Sequence, residues 1–409
     1  MIPLLLDDIA RLGRLERAPG ATQVTGVQVD SRRIVAGDLF VAVNAAGAEF
    51  AEDAFARGAA AALAPGDGFA ALAALGRAVR DRSEARVVGI TGSAGKTSTK
   101  DILAAICRPH ARTVAAEASF NNEIGVPLTL CRLEPDTEMC VLELSMRGLG
   151  QIAELCAYAK PHVGVITTIG PAHVELLGSL EAIVQAKSEL LDALPTGGTA
   201  VVPDDFPVTR DDLDVVRFGE PEARVEDGRT LIRWEGREVA FDFTARHQAR
   251  NALAALHAAR AVGVEANDSV DVEFSKWRGE EVPLPDGGLL VNDAYNANPL
   301  SVRAALEHLV AQANGRRTVA ILGEMAELGP ESPRYHQEIG RFAKNLGIDV
   351  VIGVGELARN YEPDDWSPDA PSATDMARTV IHPGDCVLVK GSRAAGLEVV
   401  AEALVAVNA

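Results

Sequence analysis

The chain has 409 residues, 47% of them apolar and 24% charged, which suggests two to four domains, each with its own core. Its formal net charge of −19 disfavours nucleic acid as a partner, because duplex binding needs a basic footprint. No apolar run approaches the roughly 18 residues of a membrane span. Five scattered cysteines (Cys107, Cys131, Cys140, Cys156 and Cys386), with no C-x-x-C pair, argue against a disulfide framework or a zinc cluster.

The opening "MIPLLLDDIARLGRLER" puts Asp7 and Asp8 directly after its leucines. It reads as an amphipathic helix, not a secretory signal, and predicts a cytoplasmic protein. Strands at "VTGVQVDSR" and "GDLFVAV", a helix at "EFAEDAFARGA", a buried run "AAAALA" and a helix at "FAALAALGRAVRDRS" make residues 1–84 a small α/β domain. From residue 86 the strands "RVVGIT", "CVLELS" and "HVGVITTI" alternate with the helices "TSTKDILAAIC", "LGQIAELCAYA" and "SLEAIVQAKSELLDAL", the pattern of a parallel, doubly wound sheet. "TLIRWEGREVAFDF" alternates around Glu235 and Gly236 like a hairpin, and "HQARNALAALHAARAVG" reads as an alanine-rich helix. The polar stretch "EANDSVDVEFSKWRGEEVPLPDGG" is broken by proline and glycine and places a boundary near 277. Residues 278–409 alternate again, from "LLVNDA" to "AGLEVVAEALVAV", in a Rossmann-like layout. They contain no G-x-G-x-x-G, so a nicotinamide enzyme is a poor fit.

Residues 89–100, "GITGSAGKTSTK", look like a phosphate loop, yet G-x-x-x-x-G-K-[ST] would need a glycine where Ile90 stands. Gly92 and Gly95 flank Ser93 and Ala94 between a predicted strand and helix. Their backbone N–H groups can curl around a phosphate that the helix dipole also faces. Lys96 is then a point charge on the β/γ-phosphates and the Thr97 hydroxyl a Mg²⁺ ligand, with Ser98 next in the motif. The alternative is a Gly-Lys-Thr that merely begins a helix. With this net charge, attraction of a polyanion must be local, which screening over about 8 Å allows. Glu143 and His173 follow later strands at the carboxyl edge of the sheet, where open α/β sheets bind ligands. A carboxylate beside a triphosphate would hold Mg²⁺. Taken alone, Glu143 reads equally as a surface acid and His173 as a structural histidine.

Seven segments in order, "TGSAGKTS", "FNNEIGVPLTL", "ELSMRGLGQIAEL", "ITTIGPAHVELLGSLEAIVQAKSELL", "NDAYNANPLSVRAAL", "ILGEMAELG" and "LVKGSRAAGLE", together resemble the Mur ligases, and within them the branch that adds D-alanyl-D-alanine. The resemblance runs from "VDSRR" to the C-terminus. In that family the loop has the short form T-G-x-x-G-K-T-[ST], which accounts for Ile90. The resemblance implies an α/β fold of three domains: residues 1–84 for the UDP-sugar, a central phosphate-loop ATPase at 85–277, and a Rossmann-like domain at 278–409 that brings the amine and closes over ATP. It also implies an ATP-dependent ligase of peptidoglycan precursor synthesis that acts as a monomer. In the implied reaction the terminal carboxylate of UDP-N-acetylmuramoyl-tripeptide is phosphorylated, and the amine of D-alanyl-D-alanine attacks the acyl phosphate. Two anions must meet, so two Mg²⁺ ions are expected.

By the same resemblance Thr97 and Glu143 would hold one metal ion and His173 would help hold the second. Asn121 and Asn122 would lie near the reacting phosphate, and His247 and Asn251 near adenine. Asp293, Tyr295, Asn296 and Asn298 would close over ATP. Glu324, Glu327, Lys390, Ser392 and Arg393 are candidates near the dipeptide, and Asp30, Ser31 and Arg32 near the uridine. Lys187 falls where these ligases carry a lysine carbamylated by CO₂, which would give the second metal a carboxylate-like ligand. Only a primary amine can do this, and this chain keeps just seven lysines among 39 basic residues.

Three positions depart from the family pattern. The Asp-Gly-His of the first domain is missing from "NAAGAEFAEDAF", Gln248 stands for an asparagine in "ARHQARN", and "GEM" replaces "GDM". A related ligase that adds a different amino acid or serves a pseudomurein-like pathway stays open as an alternative. So does, in another class, a phosphate-loop binding module without ligase activity.

Overall fold

The computed structural model describes residues 1–171, 174–284 and 287–406. Its first segment departs from the expected amphipathic helix. Leu4–Leu5 is a strand paired with Gln23–Val24, Leu6–Ile9 is a single helical turn, and the chain extends at Gly13. Arg14–Arg17 is then an edge strand, antiparallel to Ala61–Ala64. Pairing with a buried neighbour decides the conformation here, because the exposed Arg14–Arg17 has no apolar stripe of its own. Asp38–Val41 and Gly26–Gln28 complete this four-stranded sheet in parallel. Helix Gly68–Arg80, capped by the Asp67 side chain on the N–H groups of Phe69 and Ala70, follows as expected.

The central sheet has six strands, all parallel, in the order Asp214–Phe218, Thr199–Pro203, Val163–Ile166, Arg86–Thr91, Met139–Glu143 and Thr113–Ala115. Its inner strands are apolar and buried along their length, as burial on both faces demands. The strands after Arg86–Thr91 lie on both sides of it, which opens a crevice at the carboxyl end. One face packs against helices Lys96–Cys107 and Arg246–Ala261. The other shares a continuous core with the first domain, from Leu4, Leu72 and Leu75 to Val87, Leu142 and Leu190. The expected hairpin is present as Arg229–Trp234 and Arg237–Phe241.

The third sheet runs in the order Glu280–Pro283, Leu289–Asp293, Cys386–Lys390, Thr318–Gly323, Val350–Val354 and Asp365–Ser367, with only the first strand antiparallel. Helices Pro299–Ala313 and Ser332–Leu346 cover one face, and Ala370–Val380 and Glu398–Ala406 the other. Among the described residues no helix is long and apolar enough to cross a membrane.

Arg80 ties the first domain to the second. Its buried guanidinium donates to the carbonyls of Ala159 (3.0 Å), Lys160 (3.3 Å) and Ser83 (2.9 Å). Arg80→Met keeps the aliphatic stem but strands these acceptors. It should destabilise this junction by about 3 kcal/mol, seen as a lower urea midpoint for the first unfolding transition. An unchanged midpoint would show that the contacts contribute nothing.

Candidate active site

The crevice is built from the ends of three adjacent strands. After Arg86–Thr91 the chain turns through Gly92 (φ 153°) and Gly95 (φ 81°) into the helix that starts at Lys96. Both glycines are sterically required. A Cβ on Gly92 would lie 1.9 Å from Thr167 Oγ1, and one on Gly95 2.4 Å from Asn251 Oδ1. The Ser93 hydroxyl donates to Gly170 O (2.9 Å), and Thr168 O accepts from Ser93 N (2.8 Å). The loop is thereby pinned to the neighbouring strand end.

Glu143 ends the next strand and is 1% exposed. Both of its oxygens are engaged, one by Thr97 Oγ1 (2.8 Å) and the other by Asn121 Nδ2 (2.7 Å). Lys96 folds back to donate to Gly92 O (2.8 Å). Burial lowers its pKa and so does the charge of Arg278, while Glu143 opposes the shift. Lys187, on helix Leu180–Asp192, is 2% exposed and makes no hydrogen bond or ion pair with another described residue. Burial, and then the nearby Lys96, push its pKa well below the usual lysine value. His173 lies outside the described residues.

The helix Arg246–Ala261 starts beside the loop. Gln248, the departure from the family pattern, donates to Ser98 Oγ (3.2 Å) and accepts from Asn251 Nδ2 (2.8 Å), which links this helix to the loop helix. Burial first, and then the nearby His308, lower the His247 pKa to about 4, so its imidazole is neutral at physiological pH.

The C-terminal domain supplies the opposite wall. Asn298 caps helix Pro299–Ala313 through Ser301 N and reaches across to Ser93 O (3.1 Å). Asp293 and Lys390 end adjacent strands in register, and Lys390 Nζ donates to Asp293 Oδ2 (2.5 Å) and Asn296 O (2.8 Å). Arg278 stacks on the Tyr295 ring (4.0 Å) and donates to Ser119 Oγ (2.9 Å), which in turn lies 3.4 Å from Thr97 Oγ1. A cavity of about 580 Å³ runs between these walls, bordered by Lys96, Glu143, His247, Arg278, Asp293 and Lys390.

Several expected residues sit away from this cavity. Asn122 caps helix Gly125–Leu130 through the N–H groups of Ile124 and Gly125 and is exposed. Glu324 turns its carboxylate to Leu357 N (2.8 Å), beside Gly355. Ser392 accepts from Ala326 N (2.8 Å), and Arg393 pairs with Glu398 (2.8 Å) over the Trp277 ring. Glu327, left-handed at φ 61°, accepts through its carbonyl from Glu175 N (3.2 Å) at the seam between domains. In the first domain Asp30 holds Arg32 in a two-point pair that keeps its carboxyl at about 2, while Ser31 is buried. Sequence reasoning missed Arg278 and Ser119. The one signal for Arg278 was its place beside Trp277, with Lys276 on the other side, in a linker that is mostly acidic.

The Thr97 hydroxyl and the Glu143 carboxylate form an oxygen pair of the kind that hard divalent cations take.

Comparison with known proteins identifies the family of the chain. The Mur ligase middle domain matches residues 90–259, and the Mur ligase, glutamate ligase domain matches residues 277–393. The UDP-N-acetylmuramoyl-tripeptide–D-alanyl-D-alanine ligase of Synechocystis is 33% identical over 94% of this chain and 93% of its own length. MurF from Acinetobacter baumannii superposes with a TM-score of 0.84 at 26% identity, covering 98% of both chains. MurF ligase from Thermotoga maritima in complex with ADP gives 0.80 at 27% identity, covering 93% of this chain and 96% of that one. This chain, with its α/β fold of three domains, belongs to the Mur ligase family.

Proposed function

We propose that the chain is the ATP-dependent ligase that joins D-alanyl-D-alanine to UDP-N-acetylmuramoyl-tripeptide in peptidoglycan precursor synthesis. The observation that carries this reading is the cavity in which a variant phosphate loop, a buried Glu143 and the Asp293–Lys390 wall of a second domain face one another. A binding module would need the loop alone. The three domains are assigned to residues 1–84, 85–277 and 278–409, for the UDP-sugar, ATP and the amine.

In the reaction the tripeptide carboxylate attacks the γ-phosphorus of ATP and ADP leaves. The D-alanyl-D-alanine amine then attacks the acyl carbon, phosphate leaves, and the nitrogen gives up its proton as the amide forms. Most of the work is positioning and neutralising charge. The loop N–H groups from Gly92 to Ser98 and the Lys96 ammonium would cradle the β/γ-phosphates. Asn121, already on Glu143, would hold that carboxylate in place. A neutral His247 offers one donor and one acceptor, which suits adenine, with Asn251 beside it. Asp293, Tyr295, Asn296 and Asn298 would cover the nucleotide, and Arg278 would add positive charge at the Thr97 end. Thr97, Glu143, His173 and a carbamylated Lys187 would hold Mg²⁺, whose charge screens the approach of the two anions. Burial, and then the nearby Lys96, push the pKa of the Lys187 amine well down, which favours the uncharged form that reacts with CO₂. Asn122 remains assigned near the reacting phosphate, and Glu324, Glu327, Lys390, Ser392, Arg393 and the Asp30–Arg32 turn to the substrates.

Phosphate release with ATP, Mg²⁺ and the UDP-linked tripeptide should depend on D-alanyl-D-alanine. Release driven equally by single amino acids would overturn the assignment. Lys96→Ala should remove turnover, by at least about a thousandfold, while the fold survives, since its side chain acts on phosphate charge. Activity within a few-fold of wild type would sink the phosphate-loop reading.

Lys187→Ala should lose most activity and recover part of it with short-chain carboxylates, whereas Lys187→Arg should do no better than alanine. Full activity in Lys187→Arg would refute the carbamate, because a guanidinium keeps the charge but cannot carry CO₂.

A further inference from the structure

A second polar cluster crosses the seam between the central and C-terminal domains, beyond the loop. Glu281 lies on the edge strand Glu280–Pro283, just after the linker. Its Oε1 faces His308 Nε2 at 2.8 Å and accepts from Thr244 Oγ1 at 3.2 Å. Thr244 precedes helix Arg246–Ala261 and also accepts from Gln312 Nε2 (2.5 Å). His308 and Gln312 are one turn apart on helix Pro299–Ala313, so this helix and the edge strand grip the same point of the central domain.

The carboxylate fixes the His308 ring. Glu281 can only accept, so the proton of the imidazole must sit on Nε2. The His308 ring then meets the His247 ring edge to face, with centroids 6.2 Å apart and planes at 82°. His247 borders the cavity, whereas Thr244, Glu281 and Gln312 do not. His308 thus stands between Glu281 and the cavity-lining His247.

We propose that Glu281 is a positioning residue for the nucleobase end of the cleft: by orienting His308 it holds the His247 ring where an adenine would lie. This rests on the ATP reading above. Glu281 touches neither substrate nor phosphate. Its effect is to keep the central helix start and the C-terminal helix in the arrangement that accepts the base, so that less binding energy goes into ordering them.

The test is calorimetric binding of ADP and of inorganic tripolyphosphate to the full chain, with steady-state kinetics alongside. Glu281→Ala should weaken ADP about tenfold, the scale of one hydrogen bond to a charged group, and leave tripolyphosphate within about twofold. KM for ATP should rise by a similar factor while kcat stays within about threefold. Glu281→Gln, which can still accept from His308, should recover most of the ADP affinity. Thr244→Val, which leaves the Glu281–His308 contact in place, should change ADP binding by no more than about threefold. Unchanged ADP binding in Glu281→Ala would overturn the proposal, and so would equal loss of ADP and tripolyphosphate, the mark of a cleft that has simply opened. A wild-type chain that binds no ADP would sink the ATP reading and the positioning role together. Tight wild-type binding with an unmoved Glu281→Ala would sink the positioning role alone.

Discussion

The site depends on a carboxylate that has been removed from water. Glu143 ends an inner strand of a sheet covered on both faces, so its burial follows from the fold. A charge in that position costs several kcal/mol unless hydrogen bonds and opposite charge answer it. The answer comes from three directions: the Thr97 hydroxyl, the Asn121 amide and the Lys96 ammonium. Thr97 can reach only if the helix begins at residue 96, which in turn needs the left-handed turn at Gly95. Asn251, packed where a Cβ of Gly95 would lie, then fixes the start of the next helix. One buried acid thus sets the loop, the helix behind it and the floor of the cavity.

The opposite wall follows the same logic at lower cost. Lys390 and Asp293 face each other because their strands are parallel and in register, and the pair leaves its outer side to the cavity. Asn298 spends its carbonyl oxygen on its own helix and its amide on Ser93 of the other domain. A capping residue has therefore become an interdomain contact without losing its local role. Asn298 thus caps a helix and joins the two walls with one side chain.

What the sequence made legible was whatever local chemistry dictates. The buried parallel strands are apolar runs, and the glycines, Lys96 and Thr97 stand at a strand-to-helix turn whose geometry admits little else. Glu143 could be placed at a strand end, and Lys187 stood out as a lysine in an arginine-rich chain. The failures have physical causes too. The first seventeen residues carry apolar side chains at helical spacing, but pairing of Arg14–Arg17 with Ala61–Ala64 overrides that propensity. The edge strand Thr113–Ala115 is only three residues long, and Asp214–Phe218 is partly exposed, so neither shows a clear period. Side-chain direction was also hidden. Asn121 and Asn122 are neighbours, yet one serves Glu143 and the other caps a helix, a choice made by the turn between them.

Arg278 was hidden because its importance is a property of the linker's path. The segment before it is stitched to the loop helix: Asp101 accepts from Ser275 N (2.9 Å), and Lys100 donates to Ser275 Oγ (3.3 Å) and to the carbonyls of Ala116 and Ala118. The chain therefore travels with the central domain as far as Ser275 and joins the C-terminal sheet at Glu280. Between these points Trp277 (φ 61°) and Gly279 (φ 74°) are both left-handed, a rare state for a tryptophan. The Trp277 ring lies under Arg393 at 4.8 Å, which offsets part of that strain by anchoring it to the C-terminal domain. Arg278, held between these two turns, is aimed back at Ser119 and Tyr295. The position of its charge is thus set by the relation between two domains, and no local pattern of residues could have announced it.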